Sequence, residues 1–159
     1  MCSLCLINLL PFVFLDFLIF ADGYLRTIFT IPISTTTQIA QPVIIPSKHS
    51  IQGPIAVEYD NRDGRLYWTD ISEPAFIART YLNGSEFQVI HSDIGVPEGI
   101  AIDKIDRKMY WTDRKRKVIE VSQLDGTSRK VLIQSSSLNL HDVQVDNRNR
   151  YTSLENFSL

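Results

Sequence analysis

Cysteine is nearly absent from this chain: Cys2 and Cys5 are its only two, and none follows in the remaining 154 residues. A disulfide scaffold is therefore excluded beyond residue 5, and the globular part must be held by packing and backbone ladders. Cys2-Ser3-Leu4-Cys5 has the spacing of a redox or metal pair. It lacks a second pair and a βαβ context, so an apolar leader with incidental thiols is the favoured reading. Charge excess is missing too. A net charge of −2 argues against general nucleic-acid binding. There is no HExxH, no phosphate-cradling glycine loop and no nucleophile elbow. His49, His91 and His141 are the only histidines, widely spaced and each expected in a solvated loop. Catalysis, a cofactor and a small-molecule substrate are not expected. After residue 50 no apolar pattern at helical spacing is long enough to support a helix.

What the chain does have is a repeat. Tyr67-Trp68-Thr69-Asp70 returns 43 residues later as Tyr110-Trp111-Thr112-Asp113. Between residues 56–70 and 99–113, six of fifteen positions are identical, including Asp60/Asp103 and Asp63/Asp106. The register reaches outward to Pro54/Pro97, and Asp142–Asp146 falls under Gly99–Asp103 as a third inner strand. Asn83-Gly84-Ser85 matches Asp125-Gly126-Thr127 at an offset of 42, so the first unit holds one extra residue, placed in the loop around Glu73-Pro74.

Short strands at a period of 40–45 residues mark the blades of a β-propeller. The second unit parses as Gly99–Asp103, Lys108–Asp113, Val118–Leu124 and Arg129–Ile133, with turn chemistry at Asp106-Arg107 and Asp125-Gly126-Thr127. The expected fold is all-β: an incomplete propeller over residues 17–150, after a leader at 1–16 and before a divergent tail at 151–159. With 44% apolar and 10% aromatic residues the chain can bury a core. It holds two whole blades plus pieces, which reads as a fragment, a truncated splice form or a doubtful gene model. An open blade exposes an apolar face and an unpaired edge, which invites association or misfolding.

The apolar N-terminal stretch has two readings. Residues 4–21 resemble a signal peptide cleaved after Ala21, though without a basic n-region. Alternatively Phe17–Ala21 is a strand equivalent to Leu66–Thr69, with Tyr24–Ile31 and Val43–Ile45 as the outer strands of a partial first blade. As a membrane span the stretch is marred by Pro11 and Asp16.

Within a blade, Trp68 and Trp111 should fill the wedge between sheets, each with one N–H to satisfy. Tyr67 and Tyr110 should pack on the opposite sheet face. Asp70 and Asp113 end their strand, where a carboxylate accepts backbone N–H bonds and pins the next loop. The motif is therefore architecture. Ligand contacts are expected on the face bearing the loops after the second and fourth strands, at Glu73, Glu98 and the basic run Arg114-Lys115-Arg116-Lys117. That run reads as a solvated loop, or as a contact for an acidic partner or a glycosaminoglycan. Asn83 and Asn156 fit the N-glycosylation pattern, although Asn83-Gly84 is also what a hairpin turn wants.

These residues resemble a known family, on Ile55–Asp60, Gly64–Asp70, Pro97–Asp103 and Ile119–Gly126. The chain is similar to the YWTD, or class B, repeats of the low-density-lipoprotein-receptor group, most like the arrow-type Wnt co-receptors. The resemblance implies a six-bladed extracellular propeller, at the plasma membrane or secreted, that binds secreted protein ligands without catalysis. The implied partner is a Wnt-type ligand or antagonist, or a lipoprotein for an endocytic receptor; a non-functional truncated product is the further alternative. Lys104 stands where the family commonly has a Trp, which puts one inter-blade contact in doubt.

Overall fold

The computed structural model describes residues 17–33, 39–43 and 51–146. These form three antiparallel sheets in which chain neighbours are sheet neighbours. The first sheet holds β1 (Phe17–Asp22), β2 (Thr27–Pro32) and β3 (Gln41–Pro42). The second holds β4 (Pro54–Asp60), β5 (Arg65–Asp70), β6 (Phe76–Tyr81) and β7 (Gln88–His91). The third holds β8 (Pro97–Asp103), β9 (Lys108–Asp113), β10 (Val118–Gln123) and β11 (Lys130–Gln134). The protein is an all-β partial propeller. Leader 1–16, tail 151–159, both cysteines, His49 and Asn156 lie outside the described residues.

Differences from the sequence reading have local causes. Tyr24 and Leu25 are not strand residues, because the Asp22 carboxylate takes both their amides, at 2.9 and 2.8 Å, and closes a turn. β2 therefore begins at Thr27. The third strand of that sheet is present already at Gln41–Pro42, before the expected Val43–Ile45; Val43 donates to the Ile28 carbonyl, and Ile44 and Ile45 lie outside the described residues. Asp142–Asp146 is not a strand at all. A ladder needs a second strand, and the residues that would follow as that strand lie beyond residue 146, outside the described ones. Its beginning nonetheless occupies the inner-strand place, since a Cβ on Gly99 would lie 2.6 Å from the Asp142 Cα.

Two cores lie between the sheets. Trp68 packs toward the first sheet with Ile28, Val43, Ile51, Leu66 and Ala78. Tyr67, its neighbour in an alternating strand, faces the other way and meets Trp111, Ile77, Ile100, Ile102 and Met109 of the second core. One Tyr-Trp pair thus serves two interfaces. Each indole removes about 200 Å² from water, a gross gain of about 5 kcal/mol at 25 cal/mol per Å². Among the described residues the expected partner for each indole N–H is not found: Trp68 Nε1 and Trp111 Nε1 are buried without a hydrogen bond there. Ring neighbours take the space instead, Phe76 and Phe87 beside Trp68, His91 and the Arg129 guanidinium beside Trp111. The cost of one unmet donor, about 1–3 kcal/mol, is smaller than the area gained.

The polar half of the motif ties blades together. Thr69 Oγ1 accepts from the Ala56 amide at 3.1 Å and donates to the Glu98 carbonyl at 2.7 Å, joining its own inner strand to that of the next sheet. Thr112 repeats this with the Gly99 amide at 2.9 Å and the His141 carbonyl at 3.2 Å. Asp70 accepts from the amides of Gln52, Gly53 and Ser72, and Asp113 from those of Gly95, Val96 and Arg116. The carboxylate pins the following loop as expected, and also the connection that enters its blade. Thr69→Val keeps the shape but leaves the Ala56 amide and the Glu98 carbonyl without this partner. A loss of about 1–3 kcal/mol in urea unfolding is expected, largely recovered by Thr69→Ser.

His91 departs most from its expected place in a solvated loop. It is 7% exposed, stacks on Trp111 at 4.8 Å between ring centroids, and shares a 3.0 Å hydrogen bond with Ser122. Burial, then the nearby Arg129 charge, hold its pKa below the ordinary value, against a smaller opposite pull from Glu120. The charged form is disfavoured in the fold, so the unfolded chain binds the extra proton first. This contribution to stability is complete above the unfolded value, about pH 6.5, and is lost as pH falls through the lower folded value. The urea midpoint should drop between pH 7.5 and pH 5, and His91→Gln should flatten that segment of the profile.

Candidate functional site

The loops after the second and fourth strands converge, as expected, near the starts of the inner strands. Glu98 stands at the second residue of β8, where Pro97 and the Gly95 and Val96 amides held by Asp113 set the entry angle. Its carboxylate receives Arg114 Nε at 2.6 Å and His141 Nδ1 at 2.7 Å. Glu98 and His141, with Gly99, Asp142, Ile55, Ala56 and Val57, line an open groove of about 570 Å³. The Glu98 side chain is only 17% exposed, whereas Arg114 and His141 are 51% and 63% exposed.

Next to Val57 in β4 stands Glu58. Burial raises its pKa, Lys104 pulls it down, and Asp142 adds a smaller upward push. Lys104 thus contributes electrostatically where an aromatic would have packed. It also helps lower Asp60, whose carboxyl is pushed up by burial but held below the usual range by Arg107, the Arg62 amide and Lys104 together.

The basic run does not form one patch. Arg114 turns to Glu98, Arg116 to Asp93 at 2.7 Å, and Lys117 Nζ to the Ser136 carbonyl at 2.6 Å. Lys115 is exposed and makes no side-chain bond among the described residues. Glu73 is likewise exposed, on the loop leaving β5, and has no such bond. Of the expected contacts, only Glu98 and Arg114 are brought into direct touch. Asn83 sits exposed at the β6–β7 turn, its Oδ1 accepting from Ser85 N and Oγ at 3.0 and 2.7 Å. Asp125 does the same for Thr127. Among the described residues no group of three His, Cys, Asp or Glu side chains is arranged to hold a metal ion.

Several inter-blade residues were not singled out from the sequence. Arg107 reaches back to Asp60 and Asp63 of the preceding blade from a left-handed backbone, φ 59°. Gly64 holds the same turn position one period earlier, at φ 68°. A strained Arg aligned with a Gly, beside a repeated Asp, was the available signal. Arg79 donates to the Leu124 carbonyl at 2.8 Å, and Arg129 grips Glu120 through both carboxylate oxygens.

With this geometry in hand, comparison with known proteins places the repeat. The family model for the low-density lipoprotein receptor repeat class B matches residues 64–104 and 107–144. These units belong to the low-density lipoprotein receptor class B repeat family. Low-density lipoprotein receptor-related protein 5 of Mus musculus is 46% identical over 85 residues, 52% of this chain and 5% of that protein. Nidogen of Drosophila melanogaster is 35% identical over 124 residues, 77% of this chain and 8% of that protein. The chain therefore spans a small part of the curated relatives it matches. Among solved structures, a nidogen/laminin complex superposes with a TM-score of 0.71 at 34% identity, covering 82% of this chain and 49% of that one. A Xanthomonas campestris gluconolactonase superposes at 0.67 with 15% identity, over 82% and 50% of the two chains, a likeness of fold alone.

The charges divide by what they hold. Glu73→Ala and Lys115→Ala should leave the urea midpoint unchanged. Arg107→Ala leaves the fully buried Asp60 carboxylate without its ion partner and should lower stability by about 2–3 kcal/mol. Parallel urea titrations of the three variants check this division.

Proposed function

We propose that this chain is the ligand-capturing part of an extracellular receptor propeller of the lipoprotein-receptor-related type. It acts by noncatalytic protein binding, with a Wnt-type ligand or a Wnt antagonist as the partner class. The observation that carries the reading is the Glu98 carboxylate, poised beside the open groove by partners on two loops, Arg114 and His141. A mobile cation on an incoming protein can replace either half-exposed partner, so the anion is fixed in place yet available. Support also comes from the 46% identity to low-density lipoprotein receptor-related protein 5 across the matched region. Glu73 and Lys115, exposed and unengaged, are proposed as rim contacts, and Asn83 as a glycan acceptor at the exposed turn.

The nidogen likeness favours a second reading. It covers more of the chain, and the solved relative is described as a complex with laminin. On that reading the same face meets an extracellular-matrix protein. The basic run supports a glycosaminoglycan contact weakly, because three of its four charges are already engaged in the fold.

Immobilised chain should be probed with a purified Wnt protein, a secreted Wnt antagonist, a laminin fragment, a lipoprotein and heparin. Saturable binding of the Wnt protein or antagonist, weakened at least tenfold by Glu98→Gln, is the expected outcome. Binding of laminin alone would move the assignment to the matrix reading, and indifference of every probe to Glu98→Gln would overturn the site. A parallel lactone-hydrolysis assay should show no turnover.

A further inference from the structure

We propose that Asn83 deamidates within the folded β6–β7 turn, its side-chain amide passing through a cyclic imide with Gly84 to an aspartate. Asn83 is exposed there, and Gly84, at φ 78°, has no side chain to obstruct its amide nitrogen. Attack of that nitrogen on Asn83 Cγ puts negative charge on Oδ1. Two donors already sit on that oxygen, the Ser85 amide at 3.0 Å and the Ser85 hydroxyl at 2.7 Å. Donors held in advance on an atom that gains charge lower the barrier to that step.

Ser85 is itself fixed from the other side. Its carbonyl accepts from the Tyr81 amide at 3.0 Å and from Thr80 Oγ1 at 2.8 Å, so both donors are placed without help from the reacting residue. The nitrogen is restrained in turn, because Gly84 is buried and donates to the Tyr81 carbonyl at 2.8 Å. The turn must open at that one bond before ring closure, which makes the conversion slow.

In the first step the Gly84 nitrogen bonds to Cγ, the Cγ–Nδ2 bond breaks, and ammonia leaves with the proton the nitrogen gave up. Water then opens the imide: its hydroxyl goes to one carbonyl carbon, its hydrogen returns to the nitrogen, and the new acid ionises. Opening at the side-chain carbonyl gives aspartate, and opening at the main-chain carbonyl gives isoaspartate.

The fold selects between these products, and the next blade shows which. Asp125 is aligned with Asn83 and accepts from the Thr127 amide at 2.9 Å and hydroxyl at 2.7 Å. Those bonds, the hydroxyl first, hold its carboxyl below the ordinary range. Gly126, at φ 89°, donates to the Gln123 carbonyl, and the Gln123 amide donates to the Thr127 carbonyl, both at 2.9 Å. Every bond of the first turn is thus repeated around an aspartate. Isoaspartate instead adds a main-chain carbon inside the loop that the Tyr81 bonds close, and their register is lost. Conversion adds one negative charge to the −2 of the chain and ends Asn83 as a glycan acceptor. It stands apart from ligand capture, and either can hold without the other.

The chain, produced without glycosylation, should be held for weeks in mildly alkaline buffer, native and in urea, and followed by peptide mass spectrometry. In the native protein the peptide carrying Asn83 should gain one mass unit, with aspartate in excess of isoaspartate; in urea isoaspartate should exceed. Ser85→Ala should slow native conversion at least threefold and leave the rate in urea unchanged, while Ser85→Thr, the residue of the second turn, should keep the native rate. Asn83→Asp should match the parent in urea midpoint. No mass gain in the native protein, a native rate indifferent to Ser85→Ala or lost in Ser85→Thr, an excess of isoaspartate in the native state, or a lowered midpoint for Asn83→Asp would each overturn the assignment.

Discussion

The constraint beneath this structure is that a four-stranded blade has two apolar faces and cannot bury either by itself. Tyr67 and Trp68 lie side by side in β5 and, by strand alternation, project into different cores. Removing one sheet would expose a fully buried tyrosine on one side or an indole on the other. The stability of each blade is therefore mostly a property of its interfaces, as in other repeat architectures. Thr69 and Thr112 set the spacing of those interfaces through single hydroxyls, each bridging an amide of its own blade and a carbonyl of the next.

Much of this was legible in the residues. A 43-residue period with a repeated tetrapeptide, Asp-Gly turns and alternating apolar positions is enough to define strands, sheet order and which aromatics lie between sheets. The structure follows that reading for β8, β9 and β10 to within two residues, and it makes Phe17–Asp22 a strand, one of the two readings of that stretch. The misses share a cause. His91 reads as a loop residue because its burial depends on Trp111 and Ser122, twenty or more positions away and in the next blade. Asp142–Asp146 has the right pattern and lies in the inner-strand place beside Gly99, while the residues that would follow as its second strand fall outside the described ones. The indole N–H groups were expected to find acceptors; aromatic and guanidinium neighbours displaced them, a choice no local pattern encodes.

The proposed binding face shows the same limit from the other side. Four consecutive basic residues look like a cationic patch in one dimension. In three, Arg114 is held by Glu98 of β8 and Arg116 by Asp93 of the connection before it, neither acid coming from the basic loop itself. What remains unengaged is Lys115 and, one blade earlier, Glu73. A rigid ring presenting a few such groups fits binding in which a small number of anchors sets affinity and most of the contact area only excludes water.

Inter-blade electrostatics also bear on how such an arc responds to acid. Arg107 spans two blades, bonding the fully buried Asp60 and the half-exposed Asp63 while its own backbone is held left-handed. Because Asp60 titrates below the usual carboxylate range, that tie persists through mildly acidic pH. His91, in the same interface between the second and third sheets, has its pKa lowered by burial and the Arg129 charge, so protonating its imidazole weakens that interface as pH falls. Acidification therefore acts on this interface through two groups, the imidazole against Trp111 and the carboxylate against Arg107. The causes differ: burial disfavours the charged imidazole, whereas pairing with Arg107 and the Arg62 amide keeps the Asp60 carboxylate ionised against the opposing effect of burial.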